Sequence, residues 1–201
     1  MPRTRPTTLL AIAALILATT ITLAHAQTSV RVRGTITAID GKAMAVKTRD
    51  GRDLKLDLAD NLTVAVAKAV RFEDIKVGDY VGATTTARPD GTHVAAEVHY
   101  LPTTASEGQS PSDLAPGSTM TNANVTSTVV GTGNRELTLQ LKGQTHKIVV
   151  PDGVPLVRSV PGTRADLVVG EYVFAAAQTN ADGALTAARI QVSKDGVKPP
   201  Q

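Results

Sequence analysis

The run Ile75-Lys76-Val77-Gly78-Asp79-Tyr80-Val81 returns 92 positions later as Leu167-Val168-Val169-Gly170-Glu171-Tyr172-Val173, and the same offset relates Gly41 to Gly133, Gly51 to Gly143, and Asp90-Gly91 to Asp182-Gly183. Turn residues that keep one spacing from Gly41 through Gly91 point to an internal duplication, in which each half carries a copy of the same supersecondary unit. A half of about 70 residues is near the size at which a single apolar core is marginal. The halves are therefore expected either to bury apolar surface against each other or to close into small barrels.

Alternation gives the elements. Val30, Val32, Gly34, Ile36 and Ala38 share one face of a segment whose other face carries Arg31, Arg33, Thr35 and Thr37, the pattern of a half-buried strand. Asp40-Gly41 turns into a strand with Met44 and Val46 inward, and Asp50-Gly51 turns again into Leu54, Leu56 and Leu58. A fourth apolar stretch, Leu62 to Val70, precedes Phe72, Ile75 and Val77, whose spacing suits one short helical turn ended by Gly78. A last hairpin folds around Asp90-Gly91. The second half repeats this order, except that Met44 and Val46 align with Leu137 and Leu139 only after a slip of one residue, the mark of a bulge or indel. The fold expected is all-β: two tandem small β-barrel units, 27–101 and 122–194, each with a short helical turn. The Pro-, Ser- and Thr-rich segment 102–121 reads as a linker and 195–201 as a disordered tail.

Residues 1–26 show Arg3 and Arg5, an apolar run from Leu9 to Leu23, and Ala24-His25-Ala26, which together read as a secretory signal peptide cleaved before Gln27. Its apolar run is short of the roughly 20 residues that a membrane span needs. The protein is thus expected to be periplasmic or secreted, with no membrane span after cleavage. Loss of the leader removes two basic residues and no acidic ones, so the net charge falls from +3 to +1. Near balance argues against a nucleic-acid partner. The absence of cysteine excludes disulfides, thiol nucleophiles and zinc–thiolate sites.

With its signal peptide, its strand-dense halves and the Ile75 to Val81 motif, the chain resembles an uncharacterised bacterial family of small exported domains with oligonucleotide/oligosaccharide-binding-like (OB-like) β-barrels, often in tandem. The similarity spans about 30–101 and 122–194. It implies a fold and no site residues, because that family has no established activity.

The strongest candidate site lies on the last hairpin of the first half, where alternation sets His93, Ala95, Glu97 and His99 on one face. Glu97 and His99, two apart at about 7 Å, could share a metal with a third ligand from a neighbouring strand, whereas His93 and His99 at about 20 Å could not bind one ion together. His93, Glu97 and His99 are accordingly the candidate metal ligands. A solvated polar strand face is the plainer alternative. His146 is expected at a barrel mouth with a hydrogen-bond partner. Asp74 and Asp166 recur where a carboxylate caps a helical turn, and Tyr80 and Tyr172 recur as packing wedges. No phosphate loop, HExxH, GxSxG or CxxC is present, so neither an enzyme nor a cofactor is implied. The expected function is that of an exported, non-catalytic binding or structural module, with an envelope protein or a small ligand as partner. Its alternatives are a metal-binding accessory and a binder of oligosaccharide or single strands through a barrel face.

Overall fold

A computed structural model describes residues 29–131 and 134–200. The expected signal peptide, its cleavage point and Gly133 lie outside the described residues. Twelve strands make one continuous sheet. They are β1 (Ser29–Asp40), β2 (Ala43–Thr48), β3 (Asp53–Ala69), β4 (Tyr80–Ala87), β5 (His93–Tyr100), β6 (Gly108–Pro111), β7 (Thr119–Gly131), β8 (Asn134–Leu141), β9 (Gln144–Val150), β10 (Leu156–Gly162), β11 (Tyr172–Thr179) and β12 (Leu185–Val192). Among the described residues the helical content is two 3-10 turns, Phe72–Asp74 and Arg164–Asp166. The fold is all-β, as the alternation implies. Both 3-10 turns, β4 with β11, and β5 with β12 start and end at the 92-residue offset.

The sheet closes on itself twice. One ring runs β1–β2–β3–β12–β11 and back to β1, and the other runs β7–β8–β9–β5–β4 and back to β7. In each ring one pair is parallel, β3 with β12 and β5 with β9. The apolar cores follow the rings. Val32, Ile36, Met44, Val46, Leu56 and Leu58 pack with Val173, Ala175, Ile190 and Val192 in the first. Phe72, Ile75, Val81 and Val98 pack with Val125, Leu137, Leu139, Ile148 and Val150 in the second. The second core lies within residues 72–156, whereas the first takes its strands from both ends of the chain. An inner ring is therefore inserted into an outer one.

The contiguous units 27–101 and 122–194 are thus not the units of packing. The reason lies in the crossing segments. No glycine or proline occurs between Arg52 and Val77, so nothing turns the chain back after Leu58. The seventeen-residue β3 instead runs on and pairs antiparallel with β10, from Val64 opposite Gly162 to Ala69 opposite Val157. That pair carries the chain out of the outer ring and back into it.

Two local expectations change and a third is located. Both first strands carry a register shift, at Ile36/Ala38 in β1 and Val125/Ser127 in β7, so the one-residue slip of Met44 against Leu137 arises at the next turn: Met44 pairs with Leu56, twelve positions on, whereas Leu137 pairs with Ile148, eleven positions on. The expected linker contains β6, which pairs with β7, and Asp113, which binds Arg33 of the outer ring at 2.6 Å. The expected disordered tail begins with a turn in which Lys194 bridges Val197, and Pro199 and Pro200 are buried. Among the described residues no helix is long and apolar enough to cross a membrane.

Candidate functional site

The hairpin β4–β5 does not keep the alternation read from the sequence. A register shift between Thr84 and Thr85 places Thr84 opposite Glu97 but Thr85 opposite Ala95, so the strand gains a bulge and the faces switch. Ala95 turns into the core. Glu97 and His99 stay together on the other face, while exposed His93 stands at the far end of the strand, beyond the bulge. The candidate trio of His93, Glu97 and His99 is therefore not assembled, and among the described residues no group of three or more His, Asp or Glu could hold a metal ion.

What the structure does assemble is a buried pair. His99 Nδ1 lies 3.1 Å from Glu97 Oε1, and both side chains are about nine-tenths buried. The ring lies across Gly82, where a Cβ would come within 2.8 Å of Nε2 and 3.1 Å of Asn122 Oδ1. Asn122 donates Nδ2 to Ser106 O at 3.2 Å, and its Oδ1 is buried without a partner. His146, on β9, also leaves Nε2 buried and unpartnered, contrary to the hydrogen bond expected there. Asp74 and Asp166 do cap the two 3-10 turns, accepting from Arg71 N at 3.4 Å and Thr163 N at 2.8 Å. The Arg71 side chain holds the Asp74 carboxyl below the usual range, and the Thr163 amide, helped by Lys194, does the same for Asp166.

His99 lines a larger feature, a cleft of about 1350 Å³ between the two rings. Strands β1, β11 and β12 of the outer ring supply Arg31, Arg33, Phe174, Arg189 and Gln191, and the crossing strand β10 supplies Arg158. The inner ring supplies Tyr80, His99 and Tyr100. Register explains the grouping on the outer wall, because Arg33 is opposite Phe174 and Phe174 is opposite Gln191. Arg33 stacks its guanidinium 5.1 Å from the Phe174 ring centre, and Arg158 lies 3.8 Å from that of Tyr100. Such stacking fixes the plane of a guanidinium and leaves its N–H edge to meet an oxyanion.

The carboxylates in the cleft are engaged. Asp113 binds Arg33, whose hydrogen bond draws that carboxyl below its ordinary value. Asp79 accepts from Lys76 N and from the Tyr100 hydroxyl at 2.9 Å, and Glu107 faces Lys142 N. Burial, with the Asp79 contact second, pushes the Tyr100 hydroxyl up. Arg33 is the least exposed of the cations, its side chain 9% exposed, and its Nε is buried without a partner. Among the described residues no ion pair ties down Arg189 or Arg158.

None of these arginines stands out as a site residue in the sequence. Arg31 and Arg33 are visible as the polar face of one strand, but Arg158 and Arg189 join them only through the ring closure.

A family model described as a domain of unknown function, DUF5666, matches residues 33–99 and 158–191, half of the chain. The chain belongs to the DUF5666 family. The first DUF5666 segment starts in the outer ring and ends in the inner one, and the second covers most of β10 through β12. Together they hold Arg33, His99, Arg158, Phe174 and Arg189, whereas Arg31 and the segment bearing Asp113 lie outside the match. No curated protein and no solved structure matches the chain.

Proposed function

We propose that the protein is an exported, non-catalytic binding module whose inter-ring cleft holds an anionic ligand. The observation that carries this reading is the gathering of Arg31, Arg33, Arg158 and Arg189 about one cleft, with Arg158 and Arg189 in none of the ion pairs among the described residues. Like charges lining one cleft repel each other, and an oxyanion between them offsets that cost. Export rests on the signal-like residues 1–26, and an OB-like reading of each ring is supported by its five-strand closure with one parallel pair.

Thermal shift with small anions tests the reading. Di- and tricarboxylates such as citrate should raise the melting temperature with rising concentration, since a ligand that binds only the folded state stabilises it by mass action. The rise should shrink in Arg189→Gln, a variant of an exposed side chain that leaves the core untouched. At about 100 times a millimolar Kd the linkage amounts to roughly 2.7 kcal/mol, so no shift with citrate, phosphate or sulfate at such a concentration would sink the proposal.

A further inference from the structure

We infer that the ligand of this cleft is a long one: an acidic polysaccharide lying along an arginine track that leaves the cleft over β1. The inference rests on the anion-binding reading above and adds a ligand class to it. Its basis is a second hollow, of about 330 Å³, lined by Arg31, Arg33, Arg49 and Arg52 with Asp50. Arg31 and Arg33 line both hollows, so the two adjoin at β1. Arg31 and Arg33 stand two apart on one strand, about 7 Å, and the Arg49 amide donates to Arg33 O at 3.1 Å, which sets Arg49 beside them.

Among the described residues the track thus collects six arginines, and no lysine lines either hollow. Two of the six have acidic partners, Arg33 with Asp113 and Arg52 with Asp50 at 2.7 Å. Arginine presents a planar fork that meets a carboxylate with two parallel hydrogen bonds, which an ammonium cannot do. One small anion occupies one or two such forks. Cations spread along a strand and across neighbouring strands, about 4.8 Å apart, instead match charges repeated along a chain. The cleft also offers Thr63, Asn124 and Gln191, whose Oε1 accepts from Ser159 Oγ at 2.8 Å, neutral groups suited to hydroxyls.

Two other polyanionic partners fit less well. Single-stranded nucleic acid is gripped by stacking bases on successive free aromatic faces, but of the cleft's Tyr80, Tyr100 and Phe174 the last two already carry Arg158 and Arg33, which leaves Tyr80 alone. A lipid surface needs apolar groups beside the cations, and the large exposed hydrophobics Ile39, Val77, Val129, Val130, Val168 and Val169 line neither hollow.

Calorimetry on the leaderless chain decides the matter, with galacturonic acid, an oligogalacturonate of about ten units, neutral dextran and a ten-nucleotide single strand as probes. The oligogalacturonate should bind at least about tenfold tighter than the monomer, because its later charges bind intramolecularly. Its affinity should fall as salt rises, dextran should give no heat, and the oligonucleotide should bind at least about tenfold more weakly. Arg49→Gln and Arg52→Gln, both on exposed side chains, should lower affinity for the oligomer severalfold and leave the monomer unchanged. Equal binding of oligonucleotide and oligogalacturonate overturns the polysaccharide class. Equal affinity for monomer and oligomer, or no effect of Arg49→Gln and Arg52→Gln, overturns the track and leaves the anion cleft standing. No binding of any probe, with no stabilisation by citrate, removes both.

Discussion

At the residue scale, Gly78 and Gly170 show how a repeated sequence position reports a backbone requirement. Both have positive φ, +92° and +96°, and a Cβ at either position would find nothing within 4 Å, so the cost of a side chain there is purely conformational. Gly78→Val and Gly170→Val should each lose about 1 kcal/mol or more in urea denaturation, because a β-branched residue resists that region. Gly34→Ala should lose far more, since its Cβ would meet Lys47 O at 2.1 Å and the obstacle is backbone. Equal midpoints for wild type and Gly78→Val would remove the turn as a shared requirement. These glycines were legible because a turn marks itself locally. The arginine cluster was not, since Arg33 and Arg158 are far apart in the chain and meet only after both rings close.

At the element scale, the segment between β5 and β7 is more than a tether. It pairs through β6 and is pinned to the outer ring by Asp113 on Arg33. The Asp113 carboxyl is drawn below its usual value of 3.8 in the folded state. The pin is therefore fully present above that value and is lost as pH falls through the lowered one. Amide exchange, corrected for its intrinsic pH dependence, should show Ser112 to Leu114 opening only in strong acid, whereas Asp113→Asn should show the same opening at neutral pH. Identical protection in variant and wild type at neutral pH would mean that the ion pair does not hold the segment. The composition of 102–121, rich in Pro, Ser, Thr and Gly, reads as a linker. It could not reveal a single long-range ion pair, just as alternation alone could not reveal the bulge that separates His93 from Glu97 and His99.

At the scale of the whole molecule, the sequence repeat and the packing units differ. Spacing at a constant offset is the same whether a hairpin closes onto its own three strands or onto those of the other half, so partner choice was not legible in it. The crossing of β3 with β10 decides that choice, and it makes residues 70–156 one continuous stretch containing all the strands of the inner ring. A fragment of 70–156 should therefore melt cooperatively by circular dichroism as a monomer, while 27–101 should not. A cooperative 27–101 beside a non-cooperative 70–156 would show that the contiguous half is the folding unit. The inserted ring also sets a schedule for synthesis. β1, β2 and β3 emerge first, yet their ring lacks a wall until Leu185–Val192 has been made, on the order of ten seconds later at ~5–20 residues per second. For that interval the newborn chain offers two unpaired strand edges to any neighbour, a hazard that ends only when its final strand arrives.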